Sequence, residues 1–172
     1  MDTRLTEIGE FGFLKHLSQW LPTAPSVVEG IGDDCAVLRI GETVLLVSSD
    51  MFIENTHFRT TYFSPERIGA KAAARALSDI AAMGGKPLFC LVSLTCPIST
   101  SLDFLKRVYR GMVDVLDRYG ACIVGGDTAA RETGVAMDVV VIGTPYGDRY
   151  LTRRGASAGD VICVTGPLGT AG

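Results

Sequence analysis

Four aspartates carry most of the chemistry this chain offers. Asp34 ends Gly30-Ile31-Gly32-Asp33-Asp34, Asp50 follows Ser48-Ser49, Asp79 lies in Leu77–Pro87 (LSDIAAMGGKP), and Asp127 follows Gly125-Gly126. Each is expected at an element boundary, beside glycine or another small residue. If the fold gathers them, two unit charges 4 Å apart repel by roughly 4 kcal/mol at an effective dielectric of 20. Cations relieve that cost. Hard divalent ions take oxygen ligands, and Mg2+ typically joins one or two carboxylates to substrate phosphates. Glycine loops that open the backbone N–H groups to a ligand, with an arginine nearby, complete the pattern of a Mg-nucleotide site. A local reading competes with it. Aspartate is a common turn residue, and Asp79 stands four residues after Arg75, a helical pair worth about 0.2–0.5 kcal/mol. Asp33 fits an ordinary Gly-Asp turn, because alternation at a strand entry directs only one of the two neighbours inward.

The elements that must position these residues follow from pattern. Ile8, Phe11, Leu14, Leu17 and Leu21 predict a helix over 5–21, interrupted near Gly9-Glu10-Phe11 and ended by Pro22. Cys35–Ile40 and Thr43–Ser49 read as strands joined by a Gly41-Glu42 turn, which puts Asp50 at a strand end. Ser64 caps an alanine-rich helix to Met83, with Pro65 and Glu66 in its first turn and Gly84-Gly85 and Pro87 to stop it. Asp79 then sits near the helix's negative pole, a mildly unfavourable place for a carboxylate. Leu88–Cys96 reads as a strand buried on both faces. Ser99–Ser101 caps a third helix to about Tyr119, with Leu102, Leu105, Val108, Met112 and Leu116 on one side. Ala121–Val124 is a short buried strand ahead of Asp127. Val135–Tyr146 and Asp160–Thr165 read as two more, with a basic loop, Arg149–Gly159, between them. The close on Gly166–Gly172, a glycine-rich turn after a strand, predicts a truncated or split chain.

Composition bounds the rest. The 172 residues amount to one domain, 47% hydrophobic with 20 glycines, which fits a globular α/β or α+β protein. A net charge of −3 without a Lys/Arg block disfavours nucleic-acid binding. The five cysteines, Cys35, Cys90, Cys96, Cys122 and Cys163, lack CxxC spacing and read as reduced, mostly buried thiols of a cytosolic protein. His16 and His57 lie far from any paired cysteines, so zinc is disfavoured. No signal-peptide pattern occurs and no apolar run approaches about 18–20 residues, so no membrane partner is expected.

The familiar phosphate loops, GxxxxGKS/T and GxGxxG leading into a helix, are absent. Another ordered series runs from residue 9 to the end: GEF (Gly9–Phe11), GIGDDCAVL (Gly30–Leu38), SSDM (Ser48–Met51), HF (His57-Phe58), LSDIAAMGGKP, IVGGDT, LTRRGASAGD and VTGPLG. Through these motifs the chain resembles the N-terminal half of the thiamine-monophosphate kinase family. That family sits in a superfamily with aminoimidazole ribonucleotide synthetase, selenophosphate synthetase and a hydrogenase maturation protein. The resemblance implies an α+β fold, a mixed sheet with helices packed on one face, which forms a shared β-barrel on dimerisation. Residues 1–172 would be a single N-terminal ATP-binding domain of a cytoplasmic homodimer. The implied reaction moves the ATP γ-phosphoryl group directly to the phosphate of thiamine monophosphate, giving thiamine diphosphate, with several Mg2+ ions and no covalent enzyme intermediate. Carried across motif by motif, Asp34, Ser48, Ser49, Asp50, Asp79 and Asp127 would be metal ligands. Tyr109, Gly126, Asp127 and Arg153 would contact the nucleotide, and His57 the thiamine phosphate. Ser49 stands where the family has threonine, and it keeps the hydroxyl. The family's second half supplies further metal, ATP and substrate contacts, so the 172 residues alone are expected to be inactive. Two other readings stand beside this one: a non-catalytic dimerising, ATP-binding module, and another ATP-dependent superfamily member with a different acceptor.

Overall fold

A computed structural model describes residues 4–147, 149–164 and 166–168. Six strands form one sheet in the order β1-β2-β3-β6-β4-β5. They are β1 (Val27–Glu29), β2 (Ala36–Ile40), β3 (Thr43–Ile53), β4 (Gly85–Cys96), β5 (Cys122–Ala130) and β6 (Ala136–Pro145). All neighbours are antiparallel except β4 and β5. The helices are α1 (Leu5–Trp20), α2 (Pro65–Ala82) and α3 (Leu102–Leu116). The expected α+β architecture, a mixed sheet with helices on one face, is the one found. Among the described residues the sheet is open and does not close into a barrel.

Both packed helices start where their hydroxyl caps stand: Ser64 Oγ accepts from the Arg67 N–H, and Ser101 Oγ from the Phe104 N–H. α2 buries Ile68, Ala72, Ala73, Ala76, Leu77 and Ile80 against the sheet and α3. Small residues let the helices meet closely. A Cβ on Gly69 would lie 1.8 Å from the Val108 carbonyl oxygen, and one on Gly111 would lie 1.9 Å from that of Glu66. Beneath them Leu46, Phe52, Cys90, Val92, Met137, Val139 and Val141 form the sheet's contribution to the core. By contrast α1, broken at Gly9, buries no residue, so its periodicity reports a helix but not a packed one.

Four expectations are corrected by packing. β4 alternates instead of being buried on both faces: Cys90, Val92 and Leu94 face the helices, while Phe89 and Ser93 are exposed. β3 runs on to Ile53, so Asp50 lies inside a long strand and not at its end. Asp127 likewise lies within β5, an exposed edge strand, and does not follow a buried one. Asp160–Val164 form no strand, and Val161 and Ile162 are exposed with no neighbouring strand to pair with among the described residues. Thr165 and Gly169, in the last expected strand and motif, lie outside the described residues. Of the cysteines, Cys35, Cys90 and Cys96 are buried, Cys122 and Cys163 are exposed, and all are free.

Candidate metal and nucleotide site

Alternation along β3 sorts its functional triplet. Ser48 and Asp50 share the face that carries buried Leu46 and Phe52, the face on which α2 packs. Ser49 points the other way, and its hydroxyl donates to Asp138 Oδ1 at 2.7 Å. Asp138 is a partner of Ser49 that the sequence did not single out. Its only signal is a carboxylate inside the apolar run of β6.

α2 runs from β3 to β4, packs against β3, and brings Asp79, in its last turn, within reach of the charges of Asp50 and Asp34. The register sets Ala36 against Val47, so Cys35 and Asp34 enter at the same level. Three of the four singled-out carboxylates, Asp34, Asp50 and Asp79, therefore lie within electrostatic reach of one another. The charges of Asp50 and Asp34 bear on Asp79. Its carboxyl is pushed up from 3.8 to about 6, first by burial, then by the charges of Asp50 and Asp34, with Arg153 and Arg75 opposing.

Arg75 does not form the expected pair with Asp79. Its Nε donates to Asp50 instead, at 2.9 Å to Oδ1 and 2.8 Å to Oδ2. Arg153, from the basic loop, donates through its guanidinium to Asp34 and through its backbone N–H to Asp33 Oδ2 at 3.1 Å. The other Asp33 oxygen accepts from the Asp34 N–H at 3.0 Å. Asp33 is thus a turn-former, as expected, while Asp34 carries a guanidinium. The loop itself is pinned to the end of α2 by the Leu151 N–H, which donates to the Met83 carbonyl.

Two buried groups lie in the floor of this cluster. The Cys35 thiol is raised to about 12 by burial, then by Asp79, Asp34 and Asp33, so it stays protonated and unreactive. Ser48 is buried beside the Cys35 thiol, and its hydroxyl has no hydrogen-bond partner among the described residues. An orphaned buried hydroxyl costs about 1–3 kcal/mol unless something coordinates it. The donor set is thus all oxygen: carboxylates of Asp34, Asp50 and Asp79, and the Ser48 hydroxyl. That set suits a hard divalent cation. As the side chains stand, no three His, Cys, Asp or Glu groups among the described residues converge closely enough to hold a metal, and Arg75 and Arg153 occupy two of the carboxylates.

Asp127 lies elsewhere. It is in register with Ser93 of β4, which is in register with Asp138 of β6. β5 is three strand spacings from β3, roughly 14 Å across the sheet. Asp127 Oδ1 accepts from the Thr128 N–H at 2.8 Å. With Gly125, Gly126 and Thr128 it lines a cavity of about 400 Å³ against α3, where Tyr109 is half-buried and its phenol pKa raised by that burial. Gly126 has φ 152°, and a Cβ there would meet the Val92 carbonyl oxygen at 1.9 Å. The strand can run so close to β4 only as glycine. Tyr109, Gly126 and Asp127 are brought together; Arg153 is not with them but over Asp34.

His57 closes the far end of the β3 groups. Its Nδ1 accepts from the Ile53 N–H at 2.9 Å, so the neutral ring carries its proton on Nε2. Burial first, then Arg75 and Lys71, lower its pKa against the opposing charge of Asp50.

A helix-backed mixed sheet with clustered carboxylates and a glycine-lined cavity defines a recognisable class. Residues 32–145 match the N-terminal domain of AIR synthase related proteins, and the chain belongs to that family. Within it, the chain corresponds to the N-terminal half of thiamine-monophosphate kinases. It is 40% identical over 162 residues to the Bacillus subtilis enzyme of that name, covering 94% of this chain and 50% of the relative. The Synechococcus elongatus enzyme is 36% identical over 170 residues, covering 98% and 50%. The solved structure of AaThiL complexed with AMPPCP and TMP superposes with a TM-score of 0.80 at 30% identity, over 91% of this chain and 48% of that one. The hydrogenase maturation protein HypE, 22% identical over 74% of this chain and 39% of its own with a TM-score of 0.54, shares the fold. The chain spans about half the length of the curated relatives it matches.

Proposed function

We propose that this chain is the Mg-ATP-binding half of a kinase that transfers the ATP γ-phosphoryl group to thiamine monophosphate, forming thiamine diphosphate. The observation that carries the reading is the electrostatic grouping of Asp34, Asp50 and Asp79 on the β3 face that also carries the buried, unpartnered Ser48 hydroxyl. Arg75 and Arg153 offset part of the repulsion among these carboxylates, and a divalent cation would offset more. Mg2+ there would neutralise the carboxylates and the charge that develops on the transferred phosphoryl group. Asp34, Ser48, Asp50 and Asp79 would hold it, and Asp127 would serve a second position on the phosphates. Ser48, not Ser49, offers its hydroxyl on the carboxylate side. Gly126, Tyr109 and Asp127 line the cavity that would take the nucleotide, Arg153 would contact its phosphates, and His57 would contact the thiamine phosphate. A relative solved with an ATP analogue and TMP supports the same two substrates.

The functional unit we propose is a homodimer. Among the described residues the sheet face away from the helices is uncovered, with Met51, Phe89 and Val124 exposed and Leu91, Val140 and Ile142 half-buried around the Ser49–Asp138 pair. A second copy of that face would bury them.

Calorimetric titration of Mg-ATP is the test. Wild type binds, and Asp79→Asn and Asp127→Asn each bind at least about tenfold more weakly while keeping the fold, since each removes ligand charge at constant volume. Unchanged binding in both overturns the metal assignment. Phosphoryl transfer needs donor and acceptor aligned to about 1 Å. Thiamine diphosphate formation by these 172 residues alone is therefore expected to be negligible until the remaining half is supplied. Robust turnover by the chain alone overturns that placement of the acceptor site.

A further inference from the structure

α2 and α3 touch through two glycines near the start of α2, where Gly69 meets the Val108 carbonyl and Gly111 meets that of Glu66. Beyond that contact the stripe that α2 turns toward α3 is small. Ala74, Ser78 and Ala81 recur there with Leu77 at spacings of three and four. Such short side chains leave the space between the C-terminal ends of the two helices unfilled. A cavity of about 540 Å³ lies there, larger than the one beside Asp127 and of a size that takes small molecules. Leu77 and Pro87 are buried in its apolar wall, and Val115 of α3 is half-buried in it.

Three polar side chains meet the cavity at its exposed rim: Arg118, Tyr119 and Tyr146. Ser78 is already committed, its hydroxyl donating to the Arg75 carbonyl at 2.6 Å. Among the described residues no carboxylate lines the cavity, and Arg118 pairs with none. The ends of α2 and α3 are negative poles, each roughly half an elementary charge, which a full guanidinium charge outweighs at its own side. Arg75 and Asp79 lie on a different stripe of α2. The cavity therefore shares no side chain with the carboxylate group, and none with the cavity beside Asp127.

We propose that this cavity binds a planar aromatic molecule carrying one anionic group. The apolar wall and the two phenol rings take the aromatic plane. The Arg118 guanidinium, a planar fork that matches carboxylate or phosphate oxygens, takes the anion. Neither part suffices alone. An exposed guanidinium holds a free anion weakly, and the wall gives an uncharged ring no orientation.

The experiment titrates the 172-residue chain in chelator with 2-naphthoate and, separately, with uncharged 2-naphthol, read by naphthyl fluorescence. Wild type should bind 2-naphthoate with a Kd of about 1 mM or below, the scale set by per-atom affinities of small ligands. Arg118→Gln should weaken 2-naphthoate about tenfold and leave 2-naphthol within about twofold, because only the charged contact is removed. Ala74→Trp fills the cavity and should weaken both ligands about tenfold or more. Lys106→Gln removes a positive charge from α3 outside the cavity and should match wild type. Thermal melts of each variant check that the fold is kept. Equal 2-naphthoate affinity in wild type and Arg118→Gln overturns the proposal, and that comparison decides it even where Ala74→Trp does not fold. Binding that survives in a folded Ala74→Trp places the ligand elsewhere on the molecule and overturns the cavity. No binding of 2-naphthoate to wild type at several millimolar overturns it outright. None of these outcomes bears on the Mg-ATP reading, whose titration is separate.

Discussion

Replacing Asp79 by asparagine should stabilise the metal-free protein at neutral pH and destabilise it relative to wild type once Mg2+ is added. Its carboxyl titrates near 6 in the folded chain against 3.8 as reference. A raised carboxyl pKa means the charged form is disfavoured by folding. Above about pH 6 the folded state bears the whole penalty; as pH falls toward 3.8 the folded carboxyl takes up its proton first and the penalty disappears. A rise of about two units corresponds to about 3 kcal/mol, which partial exposure reduces to about 1–2 kcal/mol. In chelator at pH 8, Asp79→Asn should therefore melt about 2–8 °C above wild type, and the gap should close below about pH 4. With Mg2+ at pH 8 wild type should gain stability and the variant far less, so the order reverses. Paired thermal melts from pH 4 to 8, in chelator and in Mg2+, read all of this. A variant no more stable than wild type at pH 8 in chelator, or a gap that does not change with pH, refutes the account of Asp79 as a penalised carboxylate.

Other expectations rest on separate contacts. Gly126→Ala should cost about 1–3 kcal/mol in chemical denaturation and weaken ATP binding, because its Cβ would meet the Val92 carbonyl. Thiol labelling of the native chain should modify Cys122 and Cys163 only, with Cys35, Cys90 and Cys96 reacting on unfolding; early labelling of Cys35 would contradict its burial and its pKa of about 12. Asp34→Asn should weaken Mg-ATP binding more than Asp33→Asn, since Asp33 is committed to the backbone N–H groups of Asp34 and Arg153. Light scattering at micromolar concentration should return about twice the chain mass, and a stable monomer across that range would remove the proposed pairing of sheet faces.

Local rules were enough to read the helices and the turns from the sequence. Ser64, Pro65 and Gly84 bracket α2, Ser101 opens α3 and Gly41-Glu42 joins β2 to β3, because caps, proline geometry and left-handed glycines act within a few residues. The motif series from GEF onward carried the family for the same reason: it is written in residue order. What lay beyond the sequence was every decision that depends on which strands become neighbours. β6 inserts between β3 and β4, leaving β5 at the edge, and that placement turns the expected buried strand before Asp127 into an exposed one. Alternation in β3 separates Ser48 from Ser49, but only the position of α2 decides which of them meets the carboxylates. Arg75 is four residues from Asp79 and 25 from Asp50, yet it binds Asp50. The crossover of α2 over β3 brings the Asp50 carboxylate within its reach, and tertiary proximity outweighs a helical pair worth a few tenths of a kcal/mol.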